Sequence, residues 1–194
     1  MDLGLFYRVL FTVMWVAWLA YWWVAARNVK PIVKVESAAS RRSHMWPLAI
    51  AFGLVLWPPI PVPVLADFVL PPDDWRIWAG IGAVFTAAGL AFAIWARVQL
   101  GRNWSGQVTV KESHELTIAG PYSLVRHPIY TGLLLAMLGS ALSRNHVQQY
   151  LGVVVASITL WRKLTIEERY MGEEFGAQYA EYKNRVRALI PFVL

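Results

Sequence analysis

The sequence predicts an all-α integral membrane protein with about five transmembrane helices, a cytoplasmic C-terminal amphipathic helix and no Rossmann-type sheet. Of its 194 residues, 57% are hydrophobic and only 15% are charged, whereas a typical soluble domain carries about 25% charged residues. The chain also contains 11 Trp and 8 Tyr, residue types that collect at membrane interfaces. In addition, five apolar segments recur along it, and a membrane-spanning helix needs roughly 17–25 such residues.

The first three apolar segments are each long enough to span a membrane. They cover residues 3–26, interrupted only by Arg8, then residues 45–66 and residues 75–98. The second segment contains the run WPPIPVP. Proline lacks a backbone N–H and its ring clashes with the preceding turn. We therefore expect this helix to break near Trp57 and to be followed by an irregular or interfacial stretch.

The last two apolar segments are shorter and lie close together. They cover residues 128–142 and 147–161, with only residues 143–146 between them. This spacing predicts a tight helical hairpin whose first helix opens at a proline, a residue favoured at the first helical position. A further amphipathic helix is predicted from Thr165, which would be its N-cap, with Glu168 three residues later as the capping-box partner.

The basic residues indicate the orientation in the membrane. They concentrate in segments 27–43 and 97–126 and in the tail from residue 162. The positive-inside rule then puts the N-terminus outside and the C-terminus in the cytoplasm, which an odd number of spans requires. The net charge of +6 is assigned to this topology rather than to nucleic-acid binding, because the basic residues form no continuous patch. We expect one domain, residues 1–194, with three spans in residues 1–98 and a ligand-binding half in residues 99–194.

Two polar clusters lie beside the short apolar segments. In GPYSLVRHPIYTG, residues 120–132, Tyr122, Arg126 and His127 precede a helix whose first N–H groups are free. Such an arrangement can bind an anion or a polar ligand, although anchoring at the membrane interface is the alternative. In the second cluster, Lys163 and Glu167 are four residues apart and share one helical face. The chain has no Cys, which excludes disulfides, thiolate metal sites and a Cys nucleophile.

These pieces resemble the isoprenylcysteine carboxyl methyltransferase and phospholipid methyltransferase superfamily. The resemblance covers roughly residues 99–192 and rests on LGRNWS, HELT followed by GPY, RHPIYTG, the glutamates at 167 and 168, and FGAQYAEYKNRV before IP. It implies an integral membrane methyltransferase that uses S-adenosylmethionine and releases S-adenosylhomocysteine. The implied acceptor is lipid-like or isoprenylated and enters from the bilayer. No metal and no nucleic acid is implied.

The resemblance also assigns residues by matching position. The implied cofactor-binding residues are Gln107, His114, Glu115, Leu116, Thr117, Tyr122, His127, Pro128, Ile129, Tyr130, Glu167 and the adjacent Glu168. The implied catalytic and acceptor-binding residues are Lys163, Arg162, Glu167, Tyr182 and Arg185. The resemblance implies an Arg that touches substrate at the position of Lys163, and Arg162 lies beside it. A lysine offers a point charge, whereas an arginine offers a two-pronged donor.

Several acceptors are compatible with these residues. Carboxyl O-methylation of an isoprenylcysteine-type substrate is the named family activity, and a carboxylate is already ionised at neutral pH. A phospholipid amine or a small thiol must first lose a proton, for which His127, His114 and Tyr182 are the candidate bases. A non-catalytic membrane protein on the same scaffold is the remaining alternative.

Overall fold

The computed structural model describes residues 2–27, 29–105, 109–111 and 116–193, and most of them are helical. The helices are α1 (Leu3–Ala25), α2 (Ala38–Leu56), the short α3 (Pro63–Ala66), α4 (Trp75–Leu100), α5 (Pro128–Arg144) and α6 (Val147–Arg185). The 3₁₀ turns are Pro72–Asp74, Gly101–Asn103 and Gly120–Ser123. The helical fold class is confirmed. The sequence did not predict the antiparallel pair formed by strands β1 (Ile32–Val35) and β2 (Thr109–Lys111).

Within the described ranges, two helices are long and apolar enough to cross a membrane. They are α1 and the segment Trp75–Asn103, which contains α4. Large apolar side chains on α1 face outward, with Val13 57% and Val16 58% exposed. A soluble protein would not leave such a stripe in water, whereas the bilayer can cover it. Five spans remain a prediction, because α5 has only 17 residues and the first half of α2 is polar.

Helix α2 breaks where the prolines predict. It ends at Leu56, and its C-cap residue Trp57 is extended. It begins earlier than the apolar segment, however, because the side chain of Ser37 accepts a hydrogen bond from the Ser40 amide at 3.2 Å and caps the helix there. The first two turns of α2 are therefore polar, which places Arg41 and His44 on a helix rather than in a loop.

The predicted hairpin is present, but no new helix begins at Thr165. Asn145 adopts a left-handed conformation with φ 61° and turns the chain between α5 and α6. Helix α6 then continues past residue 165, so the prediction of an N-cap at Thr165 with Glu168 as its partner is wrong. The Thr165 hydroxyl instead donates to the Arg162 carbonyl at 2.7 Å inside the helix. The helical backbone breaks at Gly176, with φ 50°, so the end of α6 is a second short helix joined to the first across a kink.

Helices α4 and α5 make the tightest helix contact. Their seam is formed by Gly82 and Gly89 on α4 facing Gly139 and Gly132 on α5, and a Cβ atom at any of these positions would overlap the opposite backbone. The hydroxyl of Thr86 donates to the Ala136 carbonyl across the seam at 3.1 Å. Small residues and such hydrogen bonds are how membrane helices associate closely. The seam fixes the start of α5, where the functional side chains lie.

The C-terminal tail closes over the start of α5. The backbone amides of Arg126 and His127 donate to the carbonyls of Arg187 and Ala188 at 2.8 and 3.0 Å. Ala188 and Leu189 are buried in a small cluster with Tyr130, Leu160 and Leu164. The tail thereby holds α5 against the middle of α6.

Candidate active site

One cavity of about 460 Å³ lies where α1, α2, α5 and α6 meet. The wall formed by α1 and α2 is apolar, and its residues are Trp18, Leu19, Trp22, Leu48 and Phe52. The opposite wall is formed by the start of α5 and by α6, and it carries Arg126, His127, Tyr130, Lys163, Glu167 and Tyr182. A cavity of this size, with a few polar groups on one side, is typical of small-molecule sites.

Glu167 is the centre of the polar wall. Its carboxylate accepts a hydrogen bond from the Tyr130 hydroxyl at 2.5 Å and lies 3.5 Å from His127 Nδ1 and 3.6 Å from Lys163 Nζ. Burial raises the pKa of this carboxyl, but the charge of Lys163 and the hydrogen bonds from His127 and Tyr130 outweigh burial and lower the pKa to about 2. Glu167 is therefore a fixed negative charge inside the cavity.

Glu168, the next residue on α6, contacts a second group of cations. Arg126 donates to it from Nε at 2.8 Å and from Nη2 at 2.5 Å, and Lys183 Nζ lies 2.7 Å away. Arg126 Nη1 also donates to the Val186 carbonyl. Glu168 does not line the cavity. It ties Arg126 to the C-terminal tail and thereby positions the residue that follows Arg126.

That residue, His127, lies between the two carboxylates. Its Nδ1 faces Glu167 at 3.5 Å and its Nε2 faces Glu168 at 3.4 Å. Burial lowers the pKa of the imidazole, but its hydrogen bonds and charge interactions with both carboxylates raise the pKa above the ordinary value overall. The ring also stacks on Tyr130 at 5.4 Å with 3° between the planes. His127 thus bridges the two carboxylates, and both of its ring nitrogens are engaged.

Tyr122 and Tyr182 form another part of the polar wall. The Tyr182 hydroxyl donates to the Tyr122 carbonyl at 2.6 Å, which links α6 to the turn Gly120–Ser123. Gly120 has φ 61°, a conformation that favours glycine. Burial raises the pKa of both phenols. The Tyr182 hydroxyl already donates its proton to a carbonyl, and its pKa is raised. It is therefore better suited to holding the turn in place than to removing a proton from a substrate.

The structure brings most of the residues predicted for the site together. Eight of them line the cavity: Leu116, Thr117, Tyr122, His127, Pro128, Ile129, Tyr130 and Glu167. Lys163 and Tyr182 line it too, and Lys163 Nζ lies 5.3 Å from the centre of the Tyr130 ring. Gln107, His114 and Glu115 lie outside the described residues.

Two predicted acceptor-binding residues lie away from the cavity. Arg162 is exposed and is absent from the cavity lining. Arg185 is also exposed and pairs with Glu181 at 3.5 Å. Among the described residues predicted to meet the acceptor, Lys163 is therefore the cation that reaches the cavity.

The apolar wall was not predicted from the sequence. Trp18 and Trp22 are one turn apart on α1 and stack at 4.7 Å, and Trp104 packs edge-on against Trp22 at 5.6 Å. The spacing of the two α1 residues was visible in the sequence. However, aromatic pairs are common on membrane-facing helices, so nothing local distinguished a cavity wall from a lipid contact.

Comparison with known proteins matches this chain to one family. The sequence profile of the phospholipid methyltransferase family matches residues 75–178, which is more than half of the 194 residues. The match includes α4, α5, the cavity-facing part of α6 and the loop between α4 and α5. It excludes α1 and α2, which build the apolar wall.

Individual relatives point to methyl transfer. The chain is 27% identical over 137 residues to protein-S-isoprenylcysteine O-methyltransferase B of Arabidopsis thaliana, which is 66% of this chain and 68% of the relative. It is 39% identical over 90 residues to the Saccharomyces cerevisiae protein-S-isoprenylcysteine O-methyltransferase, covering 44% of this chain and 36% of the relative. Methanethiol S-methyltransferase 1 of Bradyrhizobium diazoefficiens is 26% identical over 166 residues, 81% of this chain and 56% of that protein.

Proposed function

This chain belongs to the phospholipid methyltransferase family, and we propose that it transfers a methyl group from S-adenosylmethionine to a lipid-like or isoprenylated acceptor at the membrane interface. The observation that carries the proposal is the composition of the cavity. A buried acidic and cationic cluster centred on Glu167 faces an apolar wall across one continuous space. A charged cofactor and an apolar acceptor can meet only in a site that offers both surfaces.

The residues present fit S-adenosylmethionine. Glu167 can accept the cofactor's ammonium or a ribose hydroxyl, a strong contact because the acceptor is charged. At the start of α5, Pro128 has no N–H, and the amides of Tyr130 and Thr131 already donate to the His127 carbonyl. The amide of Ile129 is therefore the candidate donor to the cofactor carboxylate. The rings of Tyr122 and Tyr130 can face the sulfonium. Gln107, His114, Glu115, Leu116 and Thr117 are proposed to complete the site by their positions in the family motif.

Once bound, the cofactor supplies an electrophilic methyl group on its sulfonium. The protein's part is then to position the acceptor atom in line with that group and to exclude water. The apolar wall would hold the acceptor's hydrocarbon. Lys163, buried to within 8% exposure, would hold an anionic group of the acceptor on the side of Glu167.

The protonation states favour an acceptor that is already ionised. In the part of the chain that the structure describes, both ring nitrogens of His127 face carboxylates, which raise its pKa, and the Tyr182 hydroxyl is donated to a carbonyl. Neither is placed to remove a proton from a neutral amine or thiol. A carboxylate needs no such step. We therefore propose carboxyl O-methylation of an isoprenylcysteine-type substrate as the reaction.

A small thiol is the second candidate acceptor. The methanethiol S-methyltransferase relative matches 81% of this chain, including sequence outside the family match. Lys163 also replaces the arginine that the isoprenylcysteine family uses toward its substrate, which weakens two-pronged recognition of a carboxylate. A thiol acceptor would require its proton to pass to a group within residues 106–115, such as His114.

We also propose that five spans place the N-terminus outside and the C-terminus, with the cavity's polar wall, in the cytoplasm. The supporting observation is the basic bias of segments 27–43, 97–126 and the tail. The chain has no Cys, so single cysteines can be introduced without background. In right-side-out vesicles, an impermeant maleimide should label Asp73→Cys and spare Arg185→Cys, and the opposite pattern would reverse the topology.

The first test is calorimetric titration of S-adenosylhomocysteine into the detergent-purified protein. Glu167→Gln should weaken binding tenfold to hundredfold, because a charged hydrogen bond contributes about 1.5–3 kcal/mol. Glu181→Gln makes the same change on the exposed face of α6 and should leave affinity unchanged. If the folded wild type fails to bind, the methyltransferase proposal is wrong and the non-catalytic alternative stands.

If the wild type binds, the second test is transfer of a labelled methyl group to N-acetyl-S-farnesylcysteine or to methanethiol, which separates the two acceptor classes.

A further inference from the structure

The C-terminal tail presents an exposed apolar surface next to the start of α5. Ile190 is 50% exposed, Phe192 93% and Val193 73%, and these three residues are called the tail patch below. They lie in a turn that the Val193 amide closes by donating to the Ile190 carbonyl at 3.1 Å. Phe192 has φ 65°, a conformation that is unusual for a bulky side chain. The chain therefore bends in a way that turns a large apolar ring out of the protein.

The tail patch is held in place by the residues directly before it. Ala188 and Leu189 are buried with Leu160 and Leu164 of α6 in one cluster. The Thr131 hydroxyl donates to the Leu189 carbonyl at 2.7 Å, in addition to the two backbone hydrogen bonds that join the tail to the start of α5. The position of the tail patch is therefore set by the fold.

These contacts place the tail patch beside an apolar face of α6 that is exposed in the same way as that of α1. Helices α5 and α6 form a hairpin that turns at Asn145, so Thr131 and Leu164 lie at its open end. Four residues of the exposed face recur at spacings of three or four, and they are Leu151, Val154, Ile158 and Trp161. Trp161 belongs to the same turn as Leu164, and tryptophan collects at membrane interfaces. The tail patch thus lies where this face reaches the interface.

Exposed basic residues precede the tail patch. They are Lys183, Arg185 and Arg187. Lys183 contacts Glu168 and Arg185 contacts Glu181, yet their side chains remain 52% and 63% exposed. A cationic segment joined to an exposed apolar surface is typical of elements that lie on a membrane, and anionic headgroups attract such cations. A second copy of this chain would instead bring the same positive charges together, which disfavours association.

We propose that the tail patch inserts into the headgroup layer of a bilayer that contains anionic lipids, with the preceding basic residues at the lipid phosphates. This contact fixes the start of α5, and with it the polar wall of the cavity, at the depth of the interface, because the tail carbonyls accept from the Arg126 and His127 amides. The inference goes beyond methyl transfer, since the contact requires neither cofactor nor acceptor.

Quenching of a single fluorophore by lipid tests the contact. The chain has no Cys, so Val193→Cys gives one labelling site beside Phe192 in the full chain. The labelled protein is placed in nanodiscs of phosphatidylcholine and phosphatidylglycerol in which some lipids carry a nitroxide near the headgroup. We expect roughly threefold stronger quenching than at Glu174→Cys, because an interfacial element lies within about 5–10 Å of the headgroup boundary.

Glu174 is the matched control site on the same helix. It is exposed and lies about 15 Å beyond Leu164 at the rise of an α-helix. Equal and weak quenching at both sites would mean that the tail patch is in water and would overturn the proposal. A label at residue 193 that is shielded from water but not quenched by lipid would also overturn it and would indicate contact with a second copy.

Changes beside the label separate the apolar and the electrostatic contributions. Phe192→Ser should lower quenching at residue 193 by roughly twofold or more, and Phe192→Leu should retain it, because insertion depends on apolar area. Unchanged quenching with Phe192→Ser would mean that the fluorophore enters the bilayer by itself, which would overturn the role of the tail patch. Since Phe192 is 93% exposed, neither change should alter thermal unfolding in detergent.

The part played by anionic lipid is tested in the same labelled protein. Arg187→Gln, or nanodiscs of phosphatidylcholine alone, should lower quenching at residue 193, because the attraction to the headgroups is electrostatic. Quenching that depends on neither change would overturn the preference for anionic lipid. Binding of S-adenosylhomocysteine is measured separately, so a failure of the proposed function leaves the result on lipid contact intact.

Discussion

The N-terminal and C-terminal halves of this chain build opposite walls of one cavity by different means. The C-terminal half contributes charges that neutralise one another within a few ångströms, as Arg126 with Glu168 and Lys163 with Glu167 do. The N-terminal half contributes aromatic and aliphatic side chains from α1 and α2. Polar networks require exact partners, whereas an apolar wall requires only shape. The family motif accordingly lies in the half that carries the polar network.

The largest effect is expected from breaking the polar network of the C-terminal half. Glu168→Gln leaves Arg126 buried with a weaker partner, and removing one member of a buried ion pair costs about 3–5 kcal/mol. We expect the free energy of unfolding to fall by roughly 3 kcal/mol, measured by chemical denaturation in detergent. Limited proteolysis should also cut residues 186–193 faster, because Arg126 holds that tail.

The control for this change is Glu181→Gln. Glu181 belongs to an exposed pair on the same helix, and exposed pairs contribute only about 0–1 kcal/mol. If the two variants lose equal stability, the network around Glu168 is not what secures the C-terminal half.

The second-largest effect is expected at the seam between α4 and α5, where the two halves of the chain meet. A Cβ atom at Gly89 would overlap the Gly132 carbonyl and the Ala136 backbone. Gly89→Ala is therefore expected to lower stability by about 1–3 kcal/mol through overpacking. Gly53→Ala is the matched control, because a Cβ atom there meets nothing within 4 Å. A neutral Gly89→Ala would mean that the helices can move apart freely.

A smaller effect, on the KM of the acceptor, is expected from shortening a side chain of the apolar wall. Leu19 lines the cavity although it is 53% exposed, so Leu19→Ala should disturb the fold little. We expect the KM for N-acetyl-S-farnesylcysteine to rise roughly threefold to tenfold, because about 1 kcal/mol of apolar contact is lost. The affinity for S-adenosylhomocysteine should stay constant.

Val16→Ala provides the comparison on the same helix. Val16 is 58% exposed and does not line the cavity. A change in cofactor affinity with Leu19→Ala, or an equal KM effect with Val16→Ala, would contradict the separation of the two walls.

The smallest expected effect is a pH dependence of stability above about pH 6.5 that comes from His127 in the polar wall. The pKa of His127 is raised in the folded protein. Its contribution to stability is therefore fully present below the unfolded value of about 6.5 and is lost as pH rises through the folded pKa. Thermal unfolding should show a decline above about pH 6.5, with a slope of at most about 1.4 kcal/mol per pH unit. His127→Gln should remove that decline, and an unchanged pH profile would mean that the imidazole is not the titrating group.

The carboxylates make the opposite contribution at low pH. The pKa values of Glu167 and Glu168 are both lowered to about 2. Their stabilisation is present above the ordinary carboxyl pKa near 4.5 and is lost as pH falls toward 2. Above about pH 6.5 both carboxylates are ionised in the folded and unfolded states and contribute no slope, so they do not overlap with the effect of His127.

The sequence by itself determined the features that depend on neighbours along the chain. Proline chemistry predicted the end of α2 beside Trp57 and the start of α5 at Pro128. A spacing of four residues predicted that Lys163 and Glu167 would meet, and they do at 3.6 Å. Motif order predicted a methyltransferase family, and the family match bears that out.

Only the tertiary structure decided the features that join distant parts of the chain. Thr165 has the chemistry of an N-cap, yet the helix continues through it because α6 is held along its length by α2, α5 and the tail. The position of His127 between two carboxylates depends on α5 meeting α6 at one particular turn. Trp18, Leu48 and Phe52 line the site from helices without a motif. Periodicity shows which face of a helix is apolar, but what that face meets depends on contacts between residues far apart in the sequence.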